Sequence, residues 1–320
     1  MPRLSVSELR AGTSLEKAPF LLAELQETTD RNGDAYLKMT LRDRSGDIQA
    51  RYWRVPAEVA ERLSAGEGIA VTGHVTEYRG SAQVNVSAAF LCELDDMADF
   101  MPVARRSREE MVGELQRLIS SIKEPSLREL LRKILGDAAF QERFFSATAA
   151  KTYHHACVGG LLEHTLDVAR QVVFVSQRYP EVDRDLVVTA AVLHDIGKVE
   201  SYVLTGDFDL TDDGKLLGHV YMSAAMVDQA IARVEGFPAQ LRLRLLHAIL
   251  ASHGEPEKGS PVIPRTPEAI VLHYADESDA ILRGWVDHVK RDAPTGVSWT
   301  SWSKMHEGEL YVGPREMDEA

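Results

Sequence analysis

Residues 185–198 read DLVVTAAVLHDIGK. Val187, Ala190 and Ala191 recur at the i, i+3, i+4 spacing of an amphipathic helix, and the apolar run ends on His194-Asp195 followed by Gly197-Lys198. The same period governs the flanking stretches 108–122 (REEMVGELQRLISSI), 126–136 (SLRELLRKILG), 161–179 (LLEHTLDVARQVVFVSQRY), 218–234 (GHVYMSAAMVDQAIARV) and 240–254 (QLRLRLLHAILASHG). Residues 109–298 are therefore predicted to form an all-α helical bundle.

The first third of the chain has a different period. Between Phe20 and Leu94, short runs of two-residue alternation (20–29, 35–43, 48–55, 68–78, 84–94) are separated by turn residues such as Asn32-Gly33 and Ser45-Gly46-Asp47. A helical piece, PAEVAERLSAG at 56–66, falls between the third and fourth runs. Five strands in that arrangement match an all-β barrel of the OB type over residues 1–95. Residues 96–108, a mixture of acidic, basic and proline residues, read as a linker, and 299–320 as a C-terminal tail that packs on the helical domain or on a neighbouring subunit and ends in a disordered acidic stretch.

A chain of 320 residues is long enough for two cores. It has 36 Lys+Arg against 49 Asp+Glu, a net charge of -13, which argues against coating duplex DNA by counterion release. Single-strand binding stays open, because stacking on aromatic rings supplies part of its affinity. No signal peptide and no apolar run of membrane-spanning length is visible, so the expectation is a cytoplasmic protein with no membrane partner. The two cysteines, Cys92 and Cys157, lie in no ligand-spaced set, so any metal must rest on His and carboxylates.

His164 lies in GGLLEHTLDVA, His194 and Asp195 in AAVLHDIGK, His219 in LLGHV, His253 in ASHG and Asp276 in VLHYADESDA. Each falls on or at the end of a predicted helix, and helical bundles build metal sites by converging such segments. A single helical His is usually packing or surface; this ordered set points to function. Imidazole with carboxylate suits Mn, Fe or Zn, and an Asp can bridge two ions through its two oxygens. Gly197 is expected to end the helix and release Lys198 toward an anion, where it would stabilise transition-state charge.

The stretches HHACVGGLLEHT, HDIGK, GKLLGH, SHGEPEKGSPVIP and EAIVLHYADESDA resemble the HD-domain phosphohydrolases, and among them the OB-plus-HD proteins of the YhaM type, bacterial 3′-to-5′ exoribonucleases. The resemblance spans nearly the whole chain. It implies a first metal held by His164, His194, Asp195 and Asp276, and a second completed by His219 and His253 with Asp195 bridging; Ser252 stands where relatives are expected to carry a second histidine. It also implies two divalent cations, Mn first and Fe, Co, Zn or Mg as alternatives. Such a pair would activate water against a phosphodiester and release nucleoside 5′-monophosphates. Asp195 and Lys198 are the expected catalytic residues.

Substrate contacts are expected from His154 and His155 and, in the barrel, from Arg51 and Trp53, two apart on one face. Tyr36, Tyr52, Tyr78, Lys38, Arg42, Arg54 and Arg79 surround the latter pair in sequence, with core packing as the competing role for each aromatic. His273, one turn before Asp276, is a candidate to orient it, and His247 is expected to be structural. The expected partner is single-stranded RNA, with single-stranded DNA as a second class. A homo-oligomer is compatible with the sequence but has no signature in it. Two rival readings stay open: an HD hydrolase of a small nucleotide (cyclic nucleotide, dNTP or guanosine tetraphosphate), and a non-catalytic nucleic-acid-binding adaptor.

Overall fold

In a computed structural model of the protein, the described residues are 5–30, 33–78, 81–95, 97–152, 154–204, 207–292 and 298–313. Asn32 of the predicted first turn, Arg79, Asp96 of the predicted linker and the acidic end beyond residue 313 lie outside them. The chain divides into two compact units, Met1–Val103 with Leu204–Asp209, and Ala104–Val203 with Leu210–Ala320.

The first unit is a closed barrel of β1 (Ser14–Thr29), β2 (Ala35–Asp43), β3 (Gly46–Trp53), β4 (Gly68–Tyr78) and β5 (Ser81–Leu91), in the order β1-β2-β3-β5-β4. β3 pairs with β5 in parallel, and closure leaves no long free edge. Inward positions alternate along β2 and β3: Leu37, Met39, Leu41, Ile48, Ala50 and Tyr52 are buried together with Phe20, Ile69, Val71 and Val84. At the β2–β3 turn, Gly46 has φ +146, a conformation open to glycine and strained for other residues.

β1 begins at Ser14, earlier than the alternation starting at Phe20 suggests. Its first half pairs with β4 and its second with β2, with register shifts between Leu15 and Ala18 and between Leu22 and Glu24. These irregularities break the two-residue period and hide the continuity of the strand. The predicted helix over 56–66 is a single turn, α1 (Ala57–Ala60), after which the chain bends into β4.

The second unit holds α2 (Arg108–Ser120), α3 (Pro125–Leu135), α4 (Ala138–Ser146), α5 (Gly160–Ser176), α6 (Arg184–Leu193), α7 (Lys198–Ser201), α8 (Asp212–Leu216), α9 (His219–Ile231), α10 (Ala239–Leu250) and α11 (Pro267–Asp292). Every residue of α6 from Leu186 to Leu193 is buried, so a helix apolar on all sides occupies the centre of the core. Asp183 starts it by accepting a hydrogen bond from the Leu186 amide at 3.1 Å.

Two short hairpins interrupt or follow the helices along the chain: β6 (Tyr202–Leu204) with β7 (Phe208–Leu210), whose residues Leu204–Asp209 are counted with the first unit, and β8 (Trp299–Ser303) with β9 (Gly308–Tyr311). The second of these is the described part of the predicted tail. It is tied to α11 by His288 Nε2 to the Ser301 carbonyl at 3.0 Å and by His306 Nε2 to the Ile281 carbonyl at 3.1 Å. None of the described helices is long and apolar enough to cross a membrane.

Candidate metal centre

Five helices and the turns at their ends bring the histidine and aspartate side chains together. His164 lies on α5 and Asp276 on α11, while His219 opens α9. α6 stops at Leu193, so His194 and Asp195 sit in the tight turn that follows it. α10 stops at Leu250, which places His253 beyond its predicted helix.

Gly197 does not end a helix in the expected way. Its backbone is right-handed (φ -63, ψ -19) and it precedes α7. A Cβ at this position would lie 2.5 Å from the His219 carbonyl oxygen and 2.6 Å from the Ser223 amide nitrogen. The glycine is needed because the 194–198 turn presses directly on the first turn of α9, an approach sealed by a 2.9 Å hydrogen bond from the Gly197 amide to Ser223 Oγ. That contact carries His219 to the side of Asp195.

Two donor groups result. In the first, His164 Nε2 lies 3.3 Å from His194 Nε2, 3.4 Å from Asp195 Oδ2 and 3.2 Å from Asp276 Oδ1; His194 Nε2 is 3.5 and 3.7 Å from the same two oxygens. In the second, His219 Nε2 is 3.3 Å from His253 Nε2 and 3.5 Å from Asp195 Oδ1. A cation bonded at about 2.1 Å to such atoms separates them by about 3.0–3.4 Å between octahedral and tetrahedral angles, close to what is found. Asp195 gives one oxygen to each group.

The polar chemistry fits a cation. Both Asp195 oxygens are buried and accept no hydrogen bond of ordinary geometry, although Lys198 Nζ lies 2.5 Å from Oδ2. Such atoms are costly in a protein interior unless a positive partner meets them. Three of the rings are anchored through their far nitrogens: His194 Nδ1 to the Ala191 carbonyl at 2.8 Å, His253 Nδ1 to the Lys258 carbonyl at 2.9 Å, and His164 Nδ1 to Asp279 Oδ2 at 2.7 Å. Anchoring of this kind leaves each Nε2 lone pair facing the centre.

Burial opposes charge throughout the site, yet Lys198 and His194 hold the Asp195 carboxyl well below its usual range. Burial likewise disfavours a charged His164, but the carboxylates Asp195, Asp276 and Asp279 outweigh it and raise its pKa well above the ordinary value. For His219, burial and then Lys198 win, and the pKa falls to about 3.

A cavity of about 250 Å³ opens on the centre, with His154, Lys198, Tyr202, Ser252, Lys258 and Asp276 in its wall. Lys198 is 5% exposed, so it is a buried partner of Asp195 and no solvated surface lysine. His154 borders this space with Nδ1 buried and unpartnered, and burial followed by Lys198 depresses its pKa to about 3. His155, expected beside it as a substrate contact, points elsewhere: it is 1% exposed, with Nδ1 3.1 Å from Glu163 Oε2 and Nε2 3.0 Å from Asp279 Oδ2. Both ring nitrogens are thereby engaged within the protein. His273 holds the Ser252 carbonyl at 2.9 Å and fixes the turn before His253, while His247 Nε2 accepts from the Arg265 amide at 2.9 Å.

Sequence reasoning missed Asp279 and Glu163. Asp279 follows Asp276 by three residues and shares its helix face, which was a usable signal. Glu163, next to His164, had none, and neither did Tyr202, which opens β6 just after Lys198, or Lys258, five residues past His253.

On the barrel, Trp53 and Arg51 project outward from β3, opposite Tyr36 and Lys38 of β2. The Tyr36 and Trp53 rings stack at 4.3 Å. Arg51 lies 5.3, 5.8 and 5.7 Å from the ring centres of Tyr36, Trp53 and Tyr78 and donates to Tyr36 Oη at 2.7 Å and Gln83 Oε1 at 3.1 Å. Tyr52 alone among the four aromatics turns into the core, and Arg42 is paired with Asp47.

Residues 161–281 match the HD domain family, which indicates a metal-dependent phosphohydrolase. Residues 21–91 match the family described as OB-fold nucleic acid binding domain. Among solved structures, the second OB-fold domain of replication protein A from Methanococcus maripaludis is similar at 19% identity, covering 29% of this chain and 97% of that one with a TM-score of 0.24. An OB domain from Methanosarcina mazei is similar at 22% identity (30% and 87% covered, TM-score 0.24), as is the single-stranded DNA binding protein of Thermus aquaticus at 18% (28% and 42% covered, TM-score 0.22).

Proposed function

We propose that the chain is a metal-dependent phosphodiesterase that shortens single-stranded RNA from its 3′ end to nucleoside 5′-monophosphates, with single-stranded DNA as a second substrate. A cytoplasmic location goes with that substrate. Residues 1–95 are assigned to nucleic-acid binding and 109–298 to hydrolysis. The observation that carries the reading is Asp195, a buried carboxylate offering one oxygen to each of two converging donor groups.

His164, His194, Asp195 and Asp276 would hold one divalent cation and Asp195, His219 and His253 another, with Mn the first choice. Bound there, such cations supply Lewis acidity toward a phosphoryl oxygen and lower the pKa of water. The chain contributes the rest. Lys198, itself buried and fixed by Asp195 at the cavity wall, brings positive charge to developing phosphoryl negative charge. His154, kept neutral, offers hydrogen bonding to the substrate without repelling a cation.

The outward Tyr36, Trp53 and Tyr78 around Arg51 form a platform suited to stacking successive bases, and such stacking tolerates any sequence. The cavity is about the size for one nucleotide, which also favours a small-nucleotide hydrolase as the second reading. Incubation of the whole protein and Mn with 5′-labelled single-stranded RNA, and separately with cyclic nucleotides, dNTPs and guanosine tetraphosphate, distinguishes them. Progressive shortening of the RNA is expected; turnover of a small nucleotide with intact RNA overturns the assignment.

A further inference from the structure

Beneath His164 lies a chain of buried ionisable side chains that touches neither the cavity wall nor the second donor group. One oxygen of Asp279, Oδ2, faces His164 Nδ1 at 2.7 Å and His155 Nε2 at 3.0 Å. The other nitrogen of His155 meets Glu163 Oε2 at 3.1 Å. Glu163 is in turn held by Arg283 Nη1 at 3.1 Å and by the Arg105 amide at 3.1 Å, and Arg283 Nε reaches Asp287 at 2.8 Å. Carboxylates alternate with imidazole or guanidinium groups along the whole run. His155, Glu163, His164 and Asp279 are all buried, an arrangement that is expensive to assemble and adds little stability of its own.

We propose that Asp279, His155 and Glu163 position His164, and that they make the His164–His194–Asp195–Asp276 group the tighter of two cation positions. The proposal rests on the metal reading of the centre given above. A ligand imidazole whose Nδ1–H is held by a carboxylate has its tautomer and ring plane fixed and its Nε2 made a better donor. His155 in turn pins the carboxylate, because the same Asp279 oxygen serves both rings.

The backbone bears a trace of the same demand. His155 has φ +49, a left-handed conformation that is unfavourable for a residue with a Cβ, and the segment retains it at full burial. Among the described residues the second donor group has no counterpart. His253 Nδ1 meets the Lys258 carbonyl and no carboxylate among the described residues, and the His219 side chain is 20% exposed where that of His164 is 0%. The two histidines of the first position are therefore enclosed and anchored, whereas the two of the second border the cavity and exchange their cation more readily.

The experiment titrates the full-length, metal-free protein with Co2+ and with Mn2+ against a competing chelator, and records the visible absorption of bound Co2+. Wild type is expected to show two classes of site. In Asp279→Ala the tighter class weakens by about 10- to 100-fold while the weaker one stays within about threefold, and the Co2+ band shifts. Asp279→Asn recovers part of the loss, because its amide oxygen still accepts the His164 Nδ1–H; His155→Gln falls between Asp279→Ala and wild type. Unchanged tight-site affinity and an unchanged Co2+ spectrum in Asp279→Asn and His155→Gln overturn the positioning role, and those two variants decide the matter even where Asp279→Ala does not fold. Wild type that binds neither ion sinks the metal reading itself, a result distinct from variants that bind as wild type does.

Discussion

Replacing Asp195 with Asn removes one charge and leaves shape almost unchanged, so it separates the chemistry of the centre from its packing. Each donor group loses its anionic share of Asp195, since Oδ2 faces His164 and His194 while Oδ1 faces His219. At an effective dielectric of about 20, unit charges 3.5 Å apart interact by about 5 kcal/mol, and a loss of about 4 kcal/mol in the transition state is already about a thousandfold in rate. Stability changes less. The amide oxygen stays beside Lys198 as a neutral acceptor, so the metal-free fold should lose about 1–3 kcal/mol, short of the about 3–5 kcal/mol seen when a buried ion pair is broken outright. The assay is shortening of 5′-labelled single-stranded RNA with Mn, alongside bound-metal analysis and circular dichroism. Turnover below about one-thousandth of wild type, with loss of bound cation and retention of the fold, is expected. Activity within tenfold of wild type, with the metal retained, refutes the bridging role of this residue.

In the barrel, Trp53→Ala and Arg51→Ala should each weaken single-stranded RNA binding by about 1–3 kcal/mol, measured by fluorescence anisotropy, while hydrolysis of a small chromogenic phosphodiester stays at the wild-type rate; equal loss in both assays would count against a binding platform. Gly197→Ala forces a methyl to within 2.5 Å of the His219 carbonyl, and thermal unfolding should show a destabilisation of at least about 1–3 kcal/mol; an unchanged melting temperature would mean that the turn and α9 are not in tight contact. His154 and His219 have folded pKa values of about 3 against about 6.5 in the unfolded chain, so between these pH values the unfolded state binds more protons. Their contribution is complete above pH 6.5 and is lost as pH falls toward 3, whereas that of His164, whose pKa is raised, fades only as pH climbs through its folded value. The melting temperature of metal-free protein should therefore drop from pH 7 to pH 5, and a flat or rising trend would contradict the burial of these rings.

Much of the architecture is legible in local pattern. The change from two-residue to helical periodicity marks where the barrel ends and the bundle begins, because burying one face of a strand or a helix imposes its own spacing on the apolar residues. His164, His194, Asp195, His219, His253 and Asp276 could be named from their order along the chain, and tertiary structure brings them to one point. Patterns with an irregular period were harder to read: β1 runs past its alternation because bulges interrupt it, and the single-turn α1 occupies a stretch whose composition suits a longer helix.

Roles that depend on the far side of a residue could not be read from the chain at all. Nothing local tells that His155 turns away from the cavity into Asp279 and Glu163 while its neighbour His154 stays at the wall, or that Tyr52 enters the barrel core while Trp53 lies outside. Gly197 looked like a helix terminator and is instead the point where two backbones touch. Sequence by itself determined which donor types exist and roughly which elements carry them, since these follow from residue chemistry and short-range periodicity. Which donors face one another, which are anchored and which are sealed from water was decided by packing between segments well separated along the chain, from His164 and His194 at 30 residues to His155 and Asp279 at 124.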